Sequence, residues 1–356
     1  MKPSVARIPP SGKRDLRGAE PPAAGKKIRI AIRRDCDTIL TMEKIRLGIS
    51  TCLLGENVRW NGGHAMDRFL VHTLGKYVEY VPVCPEVECG FGIPRDTFRL
   101  VGDPQRPRLI VHKTGADHTE RMEAWARKRV KELEKEDLCG FIFKSDSPSS
   151  GMERVKVYDD KGVPRKIGVG VFARIFMEHF PLTPVEEEGR LHDPVLRENF
   201  IERIFTCKRY CDLMEGGRQV GRLVEFHTKN KLLLMAHSPK HLKEMGSLVA
   251  HAREMPTKDL LERYEKLLME AMALKPTAAK HENVLTHIMG YFKKVLSADE
   301  KQELLEVIRS YRKGLIPLIV PVTLLAHYVR KYNQPYLKEQ TYLNPHPAEL
   351  MLRNHV

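Results

Sequence analysis

No apolar run in this sequence is long enough to cross a bilayer, which takes roughly 20 residues. The strongest, Leu315-Ile316-Pro317-Leu318-Ile319-Val320-Pro321, is short and broken by two prolines. A secretory h-region is missing as well, because the basic N-terminus holds no continuous apolar stretch. Seven cysteines in 356 residues, unevenly spaced, do not make a disulfide framework. These absences argue against a helical membrane protein and a disulfide-stapled secreted one. The expectation is a soluble, cytoplasmic chain with reduced thiols. No internal repeat is visible, and no obligate protein partner is evident.

The charge that is present is uneven. Net charge is +14, of which residues 1–41 contribute +6, residues 42–190 only +1 and residues 191–356 +7. A near-neutral segment beside a basic one suits a polyanionic substrate held by one part and processed by the other. Residues 1–41 are rich in Pro, Gly, Ala, Lys and Arg without an apolar period. Residues 1–43 therefore read as a disordered basic tail, with Met42 as a possible start and no role for Cys36. Between 44 and 185, short β-like runs (45–50, 78–83, 139–144) alternate with helical patterns (119–136, 169–179). That alternation predicts an α/β Rossmann-like domain. Residues 186–193 read as a polar link. Asp193-Pro194 is an N-cap followed by proline in the first turn. From there to 356 the spacing predicts an all-α domain, with helices over 194–213, 217–236, 239–254, 257–274, 278–296, 299–312 and 321–332.

Chemistry concentrates in Cys84-Pro85-Glu86-Val87-Glu88-Cys89, directly after the run 78–83. A third thiol, Cys52, follows the run 45–50. Strand ends in open α/β sheets line the ligand crevice, so Cys52, Cys84 and Cys89 there suit a soft metal centre. Paired knuckles of a structural zinc site are missing, since no second pair lies near Cys84 and Cys89. Three thiols fit a 4Fe-4S cluster with one open iron acting as a Lewis acid. Glu86 is placed to serve as acid or base, against the plainer reading of a helix N-terminal carboxylate. Cys139 reads as core. Cys207 and Cys211, four apart on a helix, could bind metal but lack an obvious partner and read as packing.

Several motifs together resemble the thiouracil desulfidases of the TudS type. They are Ile49-Ser50-Thr51-Cys52-Leu53-Leu54-Gly55, Val58-Arg59-Trp60-Asn61-Gly62-Gly63, Cys84-Pro85-Glu86-Val87, Gly92-Ile93-Pro94-Arg95 and Lys144-Ser145-Asp146-Ser147-Pro148-Ser149-Ser150-Gly151. The helical half resembles the YbgA-type domain through Phe226-His227-Thr228-Lys229-Asn230-Lys231, Leu234-Met235-Ala236-His237-Ser238, His281-Glu282-Asn283-Val284-Leu285 and Met289-Gly290-Tyr291-Phe292. The fusion resembles the tRNA 4-thiouridine desulfidases of the RudS type. The resemblance implies a three-cysteine 4Fe-4S cluster, removal of sulfur from 4-thiouridine in tRNA to give uridine, Glu86 activating water, and Ser147 orienting substrate. Relatives often read Ser-Pro-Ser-Cys-Gly where this chain has Ser147-Pro148-Ser149-Ser150-Gly151. The usual third ligand is thus Ser150 here, and Cys89 is expected to replace it, with a serine ligand at Ser150 as the alternative.

Arg59 and Lys144 are candidates for the nucleotide phosphate. In the helical half, Lys229, Lys231, His237, Lys280, His281, Lys293, Lys294, Arg312, Lys313, Arg330 and Lys331 are candidate RNA contacts, giving affinity with little sequence choice. Tyr291 and Phe292 can stack on bases or pack in the core. Two other readings stand beside this one. One takes free thiouracil or a thiolated nucleoside as the substrate, and the other takes the chain as a non-catalytic RNA-binding protein with zinc.

Overall fold

The computed structural model describes residues 44–215, 217 and 219–355. The expected basic tail, with Met42 and Cys36, lies outside the described residues. Among the described residues eight strands form: β1 Ile45–Ser50, β2 Val78–Val83, β3 Phe98–Val101, β4 Arg108–Val111, β5 Phe141–Phe143, β6 Val155–Tyr158, β7 Pro164–Gly168 and β8 Val185–Glu187. The first sheet has the order β2-β1-β5-β8 and is parallel throughout. Register runs from Ile45 opposite Val78 to Ser50 opposite Val83. Central parallel strands are buried on both faces and therefore read as continuous apolar runs. This is why Ile45, Leu47 and Ile49 were legible as a strand.

Three helices follow in this half: α1 Pro85–Glu88, α2 Thr119–Leu133 and α3 Val171–His179. Met122, Ala126 and Val130 recur at helical spacing on α2. They pack with Phe172 and Phe176 of α3 against Phe141 and Phe143 of β5. A second sheet, β4-β3-β6-β7, was not foreseen. Its strands are short, and β7 is mostly exposed, so the sequence carried little periodic signal there.

The expected polar link at 186–193 is corrected. Glu186 and Glu187 belong to β8 and are buried, as is Glu188. A buried carboxylate needs partners, and each has them. Glu186 accepts from Arg190, Glu187 from the Met152 amide, and Glu188 from the Lys144 ammonium and the Ser145 amide.

The helical half comprises α4 Pro194–Glu215, α5 Val220–His237, α6 Pro239–Ala250, α7 Thr257–Ala273, α8 Ala278–Gly290, α9 Ala298–Arg312, α10 Ile319–Lys331 and the short α11 Pro335–Lys338. Starts are set by side-chain caps: Ser238 accepts from the His241 amide, Thr277 from that of Lys280, and Ser297 with Glu300 closes a capping box. Leu233, Tyr264, Leu268, Leu285, Phe292 and Leu325 share one apolar core. On α4, Phe200, Ile201, Ile204 and Phe205 instead join the cluster of Leu47 and Ile49, along with Leu350 and Leu352 from the far end of the described chain. Among the described residues no helix is long and apolar enough to cross a membrane.

Candidate functional site

Three parallel strands deliver the site. β1 ends at Ser50 and runs into the tight turn Thr51–Leu54, which carries Cys52. β2 ends at Val83, and Cys84 is the N-cap of α1, with Pro85 in the first turn and Glu86 behind it. β5 is followed by the loop Lys144–Ser150. All three ends open on one cavity of about 370 Å³, whose lining includes Cys52, Cys84, Glu86, Arg95, Lys144, Ser147 and Ser150, with Arg59 and Trp60 at its edge. Its place at the carboxyl ends of parallel strands is where open α/β sheets bind ligands.

Glu86 is held from three sides. Ser149 Oγ donates to Oε1 at 2.5 Å, Arg95 Nη2 lies 3.5 Å from Oε2, and the Cys84 thiol lies 3.8 Å from the same oxygen. Arg95 is itself anchored, donating from Nη1 to the carbonyls of Val58 and Gly92. Ser147 Oγ lies 3.0 Å from Ser149 Oγ and accepts from the Ser150 amide at 3.2 Å. Ser147 thus shapes the turn and reaches Glu86 through Ser149, which makes the direct contact. Sequence reasoning weighed Glu86 and Ser147 but not Ser149 or Arg95 as working groups. The motif residues Pro94-Arg95 were the available signal.

The serine loop leans on glycine. A Cβ on Gly170 would stand 2.6 Å from the carbonyl carbon and oxygen of Ser149 and 2.8 Å from the Gly151 amide nitrogen, all backbone atoms. Gly170→Ala is therefore expected to push the loop away from Glu86. Overpacking of this kind costs about 1–3 kcal/mol. Denaturant unfolding of the variant measures it, and an unchanged midpoint would refute the close packing.

Both cavity thiols are hard to ionise. Burial pushes Cys52 up to about 11, opposed by Lys144, and burial with the Glu86 charge pushes Cys84 up to about 12. At neutral pH they remain thiols until a metal displaces the protons. In the metal-free chain, Cys52 should alkylate with iodoacetamide about 100-fold more slowly at pH 7.5 than a thiol at its ordinary value, since only thiolate reacts. Mass mapping of modified peptides checks this, and rapid labelling of Cys52 would contradict the burial argument.

Cys89 is a correction. It does not line the cavity: its sulfur lies 3.7 Å from the Arg121 carbonyl, packed in the core with Met122 and Val130. Cys84 is the extended N-cap of α1 and Cys89 its C-cap, and the helical turn between them carries the second thiol off the cavity. Ser150, buried and on the lining, occupies the third strand end. Lys144 also lines the cavity, with its ammonium tied to Glu188 at 2.5 Å. Elsewhere, Cys139 is core and Cys207 and Cys211 pack against the same cluster, as expected, and their three sulfurs come together there.

The candidate RNA contacts divide. His237 is fully buried between Glu202 and the Leu274 carbonyl, and His281 is buried against Tyr342. Neither can meet RNA, because each completes a hydrogen-bonded core network. Lys280 donates to the His237 carbonyl at 2.6 Å, closing the end of α5. Lys229 pairs with Glu225, Arg312 with Glu282 and Lys331 with Glu300. Lys231, Lys293, Lys294, Lys313 and Arg330 are exposed. Tyr291 is exposed and stacks on Tyr336, whereas Phe292 is wholly buried.

Comparison with known proteins now fits this geometry. The 2-thiouracil desulfurase family model matches residues 47–188, and the model of a protein of unknown function, DUF1722, matches residues 231–347. The uncharacterized protein YbgA of Escherichia coli (strain K12) is 31% identical over 153 residues, covering 43% of this chain and 90% of the relative. The uncharacterized protein YbbK of Bacillus subtilis (strain 168) is 32% identical over 108 residues, covering 29% and 71%. A solved structure, the [4Fe-4S]-dependent thiouracil desulfidase TudS, shares 25% identity over 43% of this chain and 95% of its own, with a TM-score of 0.35. The chain belongs to the 2-thiouracil desulfurase family through its α/β half, joined to a YbgA-type DUF1722 half.

Proposed function

We propose that the chain is a 4Fe-4S-dependent desulfidase that converts 4-thiouridine in tRNA to uridine. The observation that carries the proposal is the convergence of Cys52, Cys84, Ser150 and Glu86 from three parallel strand ends on one cavity. The donor set fits a cluster bound by two thiolates and, at the third strand end, the Ser150 oxygen. Iron–sulfur sites with a non-cysteine ligand are chemically sound. When bound, the cluster supplies a thiophilic Lewis acid at the iron left open.

The chain's own residues then do the rest. Trp60, 46% exposed at the cavity edge, offers a face for a pyrimidine ring. Arg59, next to it in sequence, also lines the cavity and is available to a nucleotide phosphate. Glu86, fixed by Ser149 and Arg95, takes a proton from the water that attacks the thiolated carbon, and the same carboxyl returns it. Over the whole reaction the C=S group and water become C=O and hydrogen sulfide. The RNA reading draws on the +7 charge of residues 191–356 and on the exposed Tyr291, Lys293 and Lys294 grouped after α8. A target base inside a stacked stem must be extruded or lie at an exposed corner.

The test is anaerobic purification with assay of iron and sulfide, followed by incubation with 4-thiouridine-containing tRNA. Loss of the thiouridine absorbance with about four irons per chain supports the proposal. The family description favours a second reading, in which free 2-thiouracil is the substrate. Turnover of the free base with intact tRNA left unchanged would select it. A zinc-loaded, iron-free protein that binds tRNA without turnover would sink both. Trp60→Ala is expected to raise KM with little change in kcat, by roughly 10-fold given 1–3 kcal/mol per stacked base. Steady-state kinetics decide it, and an unchanged KM would remove Trp60 from the substrate path.

A further inference from the structure

We propose that Cys139, Cys207 and Cys211 form a second metal site, mononuclear and of the zinc(II) type, apart from the strand-end cavity. Their three sulfurs all lie within 4.8 Å of one another. Zinc–sulfur bonds of about 2.3 Å keep two sulfurs on one ion no more than roughly 4.6 Å apart. A cluster seats each thiolate on a different iron and spreads them; a single ion gathers them. A separation of at most 4.8 Å suits the gathered set, the sulfurs drawing slightly together on the ion.

Local structure explains the convergence. Cys207 and Cys211 are four residues apart on α4 and therefore share a face. Cys139 stands two residues before β5, at the end of the strand remote from the cavity. It is held there because its amide donates to the Arg46 carbonyl of β1 at 2.9 Å. All three lie in or against the apolar cluster of Leu47 and Ile49. Packing accounts for their burial, and metal coordination would use their convergence at one point across two elements.

The surroundings suit the charge and the access. Cys207 and Cys211 line a cleft of about 340 Å³ that also presents Glu265, Glu134 and Asp137. That cleft gives an ion a way in and supplies the fourth ligand, Glu265 or a water. Zinc(II) with three thiolates carries one net negative charge. The Arg203 guanidinium beside Cys207 offsets it, while the nearby Lys208 is paired with Asp212. Binding expels the remaining thiol protons to solvent and changes no oxidation state. The bound ion would pin α4 to the base of β5, and it uses none of the desulfurisation residues.

The test uses the full chain carrying Cys52→Ser and Cys84→Ser, reduced and anaerobic, titrated with cobalt(II) and then zinc(II). One cobalt per chain with a thiolate-to-cobalt charge-transfer band, displaced by one zinc, is expected. Adding Cys139→Ser or Cys207→Ser should weaken binding by more than ~100-fold, beyond the 10–100-fold that losing a group behind a ligand costs. Absence of stoichiometric cobalt binding overturns the proposal. So does binding that survives loss of Cys207 and Cys211 together, or a disulfide among the three in the reduced protein. Should the added variants misfold, X-ray absorption of the zinc-loaded Cys52→Ser/Cys84→Ser chain counts the sulfurs directly. Fewer than three sulfurs around zinc overturns it equally.

Discussion

Glu86→Gln is expected to lower turnover by about 10²–10⁴-fold, the usual contribution of a general base, while iron content stays at the wild-type level. The amide keeps the shape of the side chain. Its oxygen can still accept from Ser149 and Arg95, but it cannot take the proton from water. Ser149→Ala should cost less, because Arg95 continues to hold the carboxylate at 3.5 Å. Single-turnover assays with matched iron loading separate the two effects. Full activity in an iron-loaded Glu86→Gln chain would move the base elsewhere, and Asp146, which also lines the cavity, would be the first place to look.

Ser150→Cys is expected to strengthen the cluster site more than any other single change. It puts a third thiolate where the third strand end already points, in a buried position on the cavity wall. Sulfur is a better donor than a hydroxyl for iron–sulfur chemistry. Cluster lifetime in air should lengthen by at least ~10-fold, the low end of what even groups behind a ligand contribute. Ser150→Ala should shorten it. The decay of iron–sulfur absorbance after exposure to oxygen is the measurement. Equal lifetimes for serine, alanine and cysteine at 150 would show that this position holds no metal.

The two halves of the fold were legible for different reasons. Buried parallel strands such as 45–50 and 78–83 are apolar runs bounded by turns, and the helices after Pro194 carry strong caps and a 3.6 period. The second sheet was hidden because β3, β4 and β6 are four residues each and β7 lies largely in solvent. At the site, proximity to strand ends correctly gathered Cys52, Cys84 and Glu86 on the cavity. The same reasoning misplaced Cys89, because nearness in sequence is not nearness in direction once a helical turn intervenes. Cys207 and Cys211 were weighed as metal ligands without a partner, and Cys139 was not joined to them because their meeting depends on how α4 docks under β1, which no local pattern encodes. His237 and His281 read as surface cations only while their buried partners, Glu202 and Tyr342, were out of sight.

The packing of Leu350 and Leu352 beside Leu47 and Ile49 has a bearing on the order of events at the ribosome. Domains ordinarily fold as they emerge, amino-terminal first. Here the α/β layer cannot finish its apolar cluster until residues some 160 positions later have been synthesised. At about 5–20 residues per second that is a delay of roughly 8–30 s. Through that interval the cluster on β1 lacks the late leucines even after α4 has emerged. A nascent chain in this state is a natural client for a chaperone that shields apolar surface.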